Sequence, residues 1–521
     1  MPPLKVEVFS DFQTLNSSFD TEIPKNHLSD ALNMVRNKDG LWENRKGIVQ
    51  FGGDVGSGEP IHSLHFWKTS SGSRFLTVGT DTDIYSYAES TAYNNGSYTN
   101  RQTITDTGQW EALVYNDIIV LCNGVDDIRS STDNATFTQR VASATIPKPT
   151  FLDVGSDFTI FSGIVADKDK VLFSAAAPTA APWVYDNVNG IVNVDIGNAD
   201  TITGMLTLGK NIIVTKSRQT YSIALADFTR VALDWGGGCE SNRAIIRTQK
   251  NSLFIAGRQG IYDIAKTQIG SNELFGNPES DEISSLYGLV TDYSDINGDF
   301  SFNENLAWWN AETSEGRLTF VRNLDYSENV WSYFKGVNAD DWTIYEDSDG
   351  GYHYLFADAA TDKVWELFKG RNDADAPIFS RIAGKRSDFG LPGYKKRVLY
   401  VDIYGYISGN AVWKAEIYKD DDRANPKTFT IDKDNFSSIA VAVGGLGSAS
   451  AGNSPLGGPI GTAGDDLEVK PFYARIPIDE DYEKLQWALF NNQADARVVL
   501  RAVVVYYEQQ PLDYYDNANI L

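Results

Sequence analysis

The chain is dominated by a recurring pair of short strands. An apolar run meets a small polar turn, and a second apolar run follows. Leu113-Val114-Tyr115 leads through Asn116-Asp117 into Ile118-Ile119-Val120-Leu121. Gly204-Met205-Leu206-Thr207-Leu208 leads through Gly209-Lys210-Asn211 into Ile212-Ile213-Val214-Thr215, then Thr220-Tyr221-Ser222-Ile223. Ala244-Ile245-Ile246-Arg247 leads through Lys250-Asn251-Ser252 into Leu253-Phe254-Ile255-Ala256, then Gly260-Ile261-Tyr262-Asp263-Ile264. A unit of this size cannot bury both of its faces by itself. Set side by side, such units stack radially into a β-propeller.

Units begin near Ile61, Trp110, Phe158, Ile202, Arg243, Asn305 and Trp342. The spacing is roughly 40–55 residues, the length of a four-stranded blade. The expected fold class is therefore all-β. Residues 59–372 form a β-propeller of five to seven blades, with six as the central count if an N-terminal arm completes the first or last unit. Packed β-sandwiches are the alternative. Residues 1–58 read as an extended arm across the repeats, with a short helical turn at 26–35 and a hairpin turn at Lys38-Asp39-Gly40. Residues 373–397, rich in polar residues, Gly and Pro, read as a linker. Strand-like runs at 398–404, 411–418, 428–431, 472–476 and 497–507 read as a separate C-terminal β-sandwich over 398–521. Within it lies a Gly-rich loop at 443–464, too poor in apolar side chains to offset its ordering entropy by burial. Residues 481–485 read as a second short helical segment.

Aromatic residues make up 12% of the chain and Gly numbers 44, which suits strands and tight turns over helices. The formal net charge is −25, which repels phosphates and argues against a sequence-specific nucleic-acid reader. A negative wall is compatible with DNA sliding past without sticking. Cys122 and Cys239 are the only cysteines, too few for a disulfide framework, and both are expected to be reduced. The N-terminus has no basic stretch followed by an apolar one, so no signal peptide is expected. The sequons at Asn16, Asn95, Asn134 and Asn435 then read as chance matches. No run reaches the length of a membrane-spanning segment.

No motif carries chemistry. Gly204 to Lys210 has phosphate-loop spacing, but Asn211 stands where Ser or Thr would hold magnesium, and a strand follows rather than a helix. His62 and His65 lie three apart in a strand and point to opposite faces, which is poor geometry for one metal. The acid pairs Asp81/Asp83, Asp126/Asp127, Asp292/Asp295, Asp347/Asp349 and Asp420 to Asp422 sit in turns, where Asp bonds nearby backbone. Asp347-Ser348-Asp349-Gly350 and Asp295-Ile296-Asn297-Gly298-Asp299 lack the distal Glu of a calcium loop. Trp308, Trp309, Trp331, Trp342 and Trp365 are expected to pack blade on blade rather than form a sugar platform. Lys385, Arg386, Lys395, Lys396 and Arg397 make a local basic run, expected to be solvated linker. No catalytic, cofactor-binding or metal-binding residue is assigned, and no enzymatic activity or cofactor is expected.

Two stretches resemble one family. Ala31-Leu32-Asn33-Met34-Val35-Arg36-Asn37-Lys38-Asp39-Gly40-Leu41-Trp42-Glu43-Asn44-Arg45-Lys46-Gly47 resembles the entry segment of the nozzle, or tail hub, proteins of short-tailed bacteriophages, also described as packaged-DNA stabilisation proteins. Gly237-Gly238-Cys239-Glu240-Ser241-Asn242-Arg243, leading to Leu253 through Tyr262, is similar to that family's blade signature. The resemblance covers residues 30–370. It implies a structural virion protein in a hexameric tail ring, assembled in the host cytoplasm. The ring would sit below portal and adaptor proteins, beside fibres or spikes. It would retain DNA without specific contacts and open for ejection, with the 443–464 loop as a candidate gate or docking element. Two other readings stand beside it: a carbohydrate-binding or glycoside-cleaving propeller that recognises a bacterial surface, and a secreted propeller.

Overall fold

The computed structural model describes residues 3–510 except 18–22, 91, 105–108, 156–157, 175–182, 186–189, 196–199, 234–236, 249–252, 265–277, 410, 421 and 432–469. The Gly-rich loop at 443–464 therefore lies outside the described residues. The chain divides into two units. One comprises residues 50–329 and 335–367, the other residues 1–49, 330–334 and 368–521.

The first unit is a β-propeller with seven consecutive antiparallel sheets, the upper end of the expected range rather than its central value. Blade 1 runs from Ile61–Lys68 to Ser97–Thr103, blade 2 from Glu111–Tyr115 to Thr138–Gln139, and blade 3 from Phe151–Gly155 to Ile191–Asn193. Blade 4 runs from Ile202–Leu208 to Arg230–Leu233, and blade 5 from Ile245–Arg247 to Gly260–Asp263. Blade 6 contributes Asn297–Phe300, Leu306–Ala311 and Leu318–Asn323, and blade 7 Ala339–Glu346, Tyr352–Asp358 and Val364–Leu367. First strands touch in cyclic order, and blade 7 meets blade 1, so the ring closes. The segment entering blade 1 runs along the last strand of blade 7: Phe51 N–H donates to Val364 O (2.8 Å) and Val55 N–H to Asp362 O (3.0 Å). The segment before blade 1 thus fastens the ring.

Apolar side chains form layers between neighbouring blades. Trp67, Ile84, Trp110, Ile119 and Phe137 fill the space between blades 1 and 2. Leu113, Val120, Leu152, Phe161 and Leu172 lie between blades 2 and 3. Ile160, Val171, Phe173, Met205, Ile212 and Val214 lie between blades 3 and 4. Phe51, Leu64, Val78, Tyr345 and Leu355 lie between blades 7 and 1. Leu253–Gly257 is buried throughout and reads as a continuous apolar run, whereas Leu318–Asn323 is buried throughout although it carries Thr319, Arg322 and Asn323. Trp308, Trp309 and Trp342 are buried among the blades and Trp365 is half-buried beneath Lys363, whereas Trp331, expected to pack between blades, is buried in a strand of the second unit.

The second unit is a β-sandwich. Its first sheet holds Met34–Arg36, Trp42–Asn44, Ala496–Gln509, Lys396–Gly409 and Lys470–Tyr482 in that order, with Leu4–Ser10 also pairing with Ala496–Gln509. Its second sheet runs Val330–Phe334, Leu28–Leu32, Ser380–Gly384, Leu485–Asn491, Trp413–Lys419 and Asp422–Ile431. The sheets meet through aromatic contacts, Trp413 against Phe472 and Trp487 against Phe9 and Phe12.

Several boundaries differ from the sequence reading. Leu4–Ser10, Leu28–Leu32, Met34–Arg36 and Trp42–Asn44 are sandwich strands, not an arm lying on the repeats. Residues 373–397 include the sheet strand Ser380–Gly384, not only linker. The helical turn expected at 26–35 is two strands, Leu28–Leu32 and Met34–Arg36, separated by Asn33 at φ +53°. Leu28, Ala31 and Leu32 have helical spacing because this strand is inward at both ends, paired with Ser380–Gly384 and Tyr333. The segment at 481–485 joins two strands. The hairpin at Lys38-Asp39-Gly40 is present, with Gly40 at φ +80°. Blades 3, 6 and 7 begin earlier than expected, at Phe151, Asn297 and Ala339 rather than Phe158, Asn305 and Trp342. The missed first strands hold Asp153, Asn297, Asp299, Asp340 and Asp341, which erase the apolar run.

Candidate functional site at the propeller axis

Those polar residues have a common use. Among the described residues, the first strands of neighbouring blades do not pair along their backbones, and side chains join the blades. Trp110 N–H donates to Ser63 Oγ (2.8 Å) between blades 1 and 2. Cys122 Sγ donates to Thr150 O (3.3 Å) between blades 2 and 3. Thr207 N–H donates to Asp153 Oδ2 (2.5 Å) between blades 3 and 4. Met205 N–H donates to Asn242 Oδ1 (2.9 Å) between blades 4 and 5. Trp309 Nε1 donates to Ala244 O (3.3 Å) between blades 5 and 6. Asn297 Nδ2 donates to Ala339 O (3.1 Å) and its Oδ1 accepts from Trp342 Nε1 (2.8 Å) between blades 6 and 7. Leu64 N–H donates to Asp341 Oδ2 (2.7 Å) where blade 7 meets blade 1. Every seam carries such a clip, and each one satisfies a backbone or side-chain polar group that burial would otherwise orphan.

A second set of contacts joins blades that are not neighbours. Arg243, at the entry to blade 5, donates to the Asp340 carbonyl of blade 7 and lies 3.5 Å from the Asp340 carboxylate. Glu111 of blade 2 hydrogen-bonds Asn242 and feels the Arg243 charge. Side chains from blades 2, 5 and 7 thereby converge across the axis. Burial raises the Glu111 carboxyl pKa, opposed by Asn242 and Arg243. Burial pushes Asp341 up to about 7, against the pull of Arg243 and the Leu64 N–H. Burial also raises Asp153, opposed by its bonds to Thr207, and Asp295, opposed by Arg317.

Where blade 7 meets blade 1, two histidines each bridge two carboxylates. His62 Nδ1 lies 2.5 Å from Asp340 and its Nε2 2.9 Å from Asp81. The Asp340 hydrogen bond raises its pKa, outweighing burial. His353 Nδ1 lies 2.7 Å from Glu366 and its Nε2 2.9 Å from Asp347, with the ring stacked on Tyr93 at 3.7 Å. Burial works to lower the His353 pKa, but Glu366 and Asp347 outweigh it and the pKa is raised. His65 behaves oppositely: burial lowers it to about 4, and Nε2 meets the Trp110 carbonyl at 2.7 Å. His62 and His65 therefore serve different partners. Among the described residues, no group of three or more His, Cys, Asp or Glu side chains is arranged to hold a metal ion.

The other residues singled out in the sequence are dispersed. Gly209, at φ +61°, turns the hairpin between Ile202–Leu208 and Asn211–Lys216, so this stretch is a strand turn and not a phosphate loop. Asp347 Oδ1 accepts the N–H groups of Asp349 and Gly351, Asp292 that of Ser294, and Asp420 those of Glu483 and Lys484. Asp295 pairs with Arg317, and Asp127 with Lys148. The basic run is not uniformly solvated. Lys396 is fully buried, donating to Leu391 O (2.6 Å) and Glu483 O (2.9 Å), and burial lowers its pKa. Lys385 donates to Ile23 O, and Arg397 pairs with Asp479. Asn134 is buried, bonded to Thr77 Oγ1 and Leu76 O. The Cys122 and Cys239 thiols are buried with carbonyl acceptors, and burial raises both pKa values, Cys239 to about 12.

Sequence reasoning missed Glu111, Asp153, Asn242, Arg243, Asp340 and Asp341. Polar residues interrupting the start of an apolar repeat were the available signal. Among the described residues, no helix is long and apolar enough to cross a membrane. No family model and no curated protein matches the chain. Among solved structures, it is similar to the WD40 domain of Neurospora crassa Pan2, at 10% identity and a TM-score of 0.39 over 63% of this chain and 98% of that one. It is also similar to the computationally designed Ika8 protein, at 11% identity and a TM-score of 0.35 over 61% of this chain and 99% of that one.

Proposed function

We propose that this protein is a structural scaffold, a nozzle or hub subunit of a short bacteriophage tail, with no catalytic role. The observation that carries the scaffold reading is the use of the polar groups at the axis. Asp153, Asn242, Asn297 and Asp341 hold neighbouring blades together, and Arg243 ties blade 5 to blade 7. Groups committed to such bonds rigidify a ring and are not poised to exchange protons with a substrate. The tail assignment rests on the resemblance of residues 31–47 and 237–262 to the nozzle family.

Side-chain bonds across the propeller axis leave no passage there for a DNA duplex. In this reading the DNA passage lies between copies, in a ring of about six subunits below the portal and adaptor proteins. An acidic lumen retains DNA without gripping phosphate. Rigid blades position loops, and loop movement opens the passage. The 443–464 loop, outside the described residues, is a candidate gate or docking element in this reading. Negative-stain images of the purified chain, alone and with its adaptor, are expected to show rings with a central lumen. A monomer that cleaves a polysaccharide would replace this reading.

One observation favours a second reading, recognition of a bacterial surface glycan. Tyr400, Tyr404, Tyr473 and Tyr506 cluster on one face of the sandwich around Arg475 and Asp402. Partly exposed rings of this kind can stack on sugars.

A further inference from the structure

The strand Leu4–Ser10 has one partner. It pairs antiparallel with Ala496–Gln509, from Leu4 opposite Glu508 to Ser10 opposite Ala502. Among the described residues, no strand pairs with its other edge. Its side chains alternate. Phe9 is buried, and Lys5 and Glu7 are half-buried on the same face, bonded to Gln509 (2.9 Å) and Lys25 (2.9 Å). Leu4, Val6 and Val8 point the other way and are 50%, 48% and 45% exposed. No other described strand exposes three large apolar side chains.

Other edges of the same sandwich are guarded. Lys470–Tyr482 carries Pro471 and Pro477, and Asp422–Ile431 carries Pro426. Proline removes a donor from an edge and blocks its pairing, and charge repels a second strand. Leu4–Ser10 has no proline and an apolar outer row, and its two charges, Lys5 and Glu7, are of opposite sign, so a second copy in the right register meets neither guard.

We infer that Leu4–Ser10 is a self-association edge that pairs antiparallel with the same strand of a second copy of this chain, about a two-fold axis at Val6. The charges select this register. Centred on Val6, Lys5 of each copy faces Glu7 of the other, and Leu4 faces Val8. Centred on Lys5 or Glu7, like charges would face each other across the axis, which is unfavourable. The chosen register also joins the two apolar rows into one stripe. The contact is isologous and closes at two copies, so it is separate from the head-to-tail contacts of the proposed ring.

The test uses the full chain in sedimentation velocity from low to tens of micromolar. A reversible dimer is expected. Val6→Lys sets two ammonium groups against each other at the axis and is expected to weaken dimerisation by about 100-fold, with an unchanged melting profile because Val6 is on the surface. Lys5→Glu alone should weaken the dimer, and Lys5→Glu with Glu7→Lys should restore it. Val6→Cys should cross-link the pair on mild oxidation, since opposed residues in antiparallel strands lie about 4.5–5.5 Å apart, within disulfide reach. The native cysteines are buried. A wild-type monomer at tens of micromolar overturns the inference. So does an oligomer, six-fold rings included, that Val6→Lys leaves intact and Val6→Cys does not cross-link. A strand from a different protein that docks on this edge while copies stay single overturns it as well.

Discussion

The seam between blades 3 and 4 and the seam between blades 7 and 1 are built differently. The first is an apolar layer around Phe173, Met205 and Val214 with the Asp153–Thr207 clip, which spans 54 residues of chain, and a Lys216–Asp169 ion pair at 2.8 Å. The second has its own apolar layer and four contacts that span far more of the chain. His62 meets Asp340, Phe66 N–H donates to Thr343 Oγ1, Lys68 pairs with Glu346, and Tyr93 bonds Glu366. The His62–Asp340 contact spans 278 residues. Loop-closure entropy grows with the logarithm of that separation, which makes the longer closure costlier by about 1–1.5 kcal/mol. One or two additional charge-assisted hydrogen bonds are of the size that offsets it. Neighbouring blades are kept close by the short chain between them, whereas the first and last must be selected by contacts.

The comparison breaks most sharply if the apolar layers are not the main source of stability. Phe173→Ala opens a cavity between blades 3 and 4 and is expected to cost about 3–5 kcal/mol, read by chemical unfolding and independent of pH between 6 and 9. A loss that varied with pH there would undo the contrast.

The next effect belongs to the closing seam alone. The His62 pKa is raised in the folded state. Its contribution is therefore fully present below its unfolded value near 6.5 and lost as pH rises through the folded pKa. His62→Gln is expected to cost about 1–2 kcal/mol at pH 6, with the cost fading by pH 9. Unfolding curves of wild type and variant across that range measure it, and a gap that widened with pH would reverse the assigned sign.

The smallest effect is at the rim. Lys68 and Glu346 form a partly exposed pair at 2.8 Å. Lys68→Gln is expected to cost under about 0.5 kcal/mol and to vanish in high salt. A larger, salt-resistant loss would mean that the rim carries a share of closure here assigned to the interior.

Much of the propeller was legible because the middle strands of each blade are buried on both faces. Ile118–Cys122, Asn211–Lys216 and Leu253–Gly257 announce themselves as apolar runs. The first strands of blades 3, 6 and 7 were not legible, since the acids and amide that clip the seams interrupt the run. The axial cluster was invisible for the same reason: Glu111, Arg243 and Asp340 lie far apart in the chain and acquire meaning only together. The N-terminal strands were misjudged because their partners lie more than 300 residues away, as with Asp30 opposite Ala383 and Val6 opposite Tyr506.

From the sequence alone came the repeating β unit, the approximate blade length, the acidity of the chain and the absence of any reactive motif. All of these follow from local spacing and composition. Tertiary structure alone decided the count of seven, the exchange of N-terminal strands into the sandwich, and the convergence of distant acids on Arg243. Those outcomes depend on which surfaces meet when the ring closes, and a buried charge is tolerable only where closure supplies its partner.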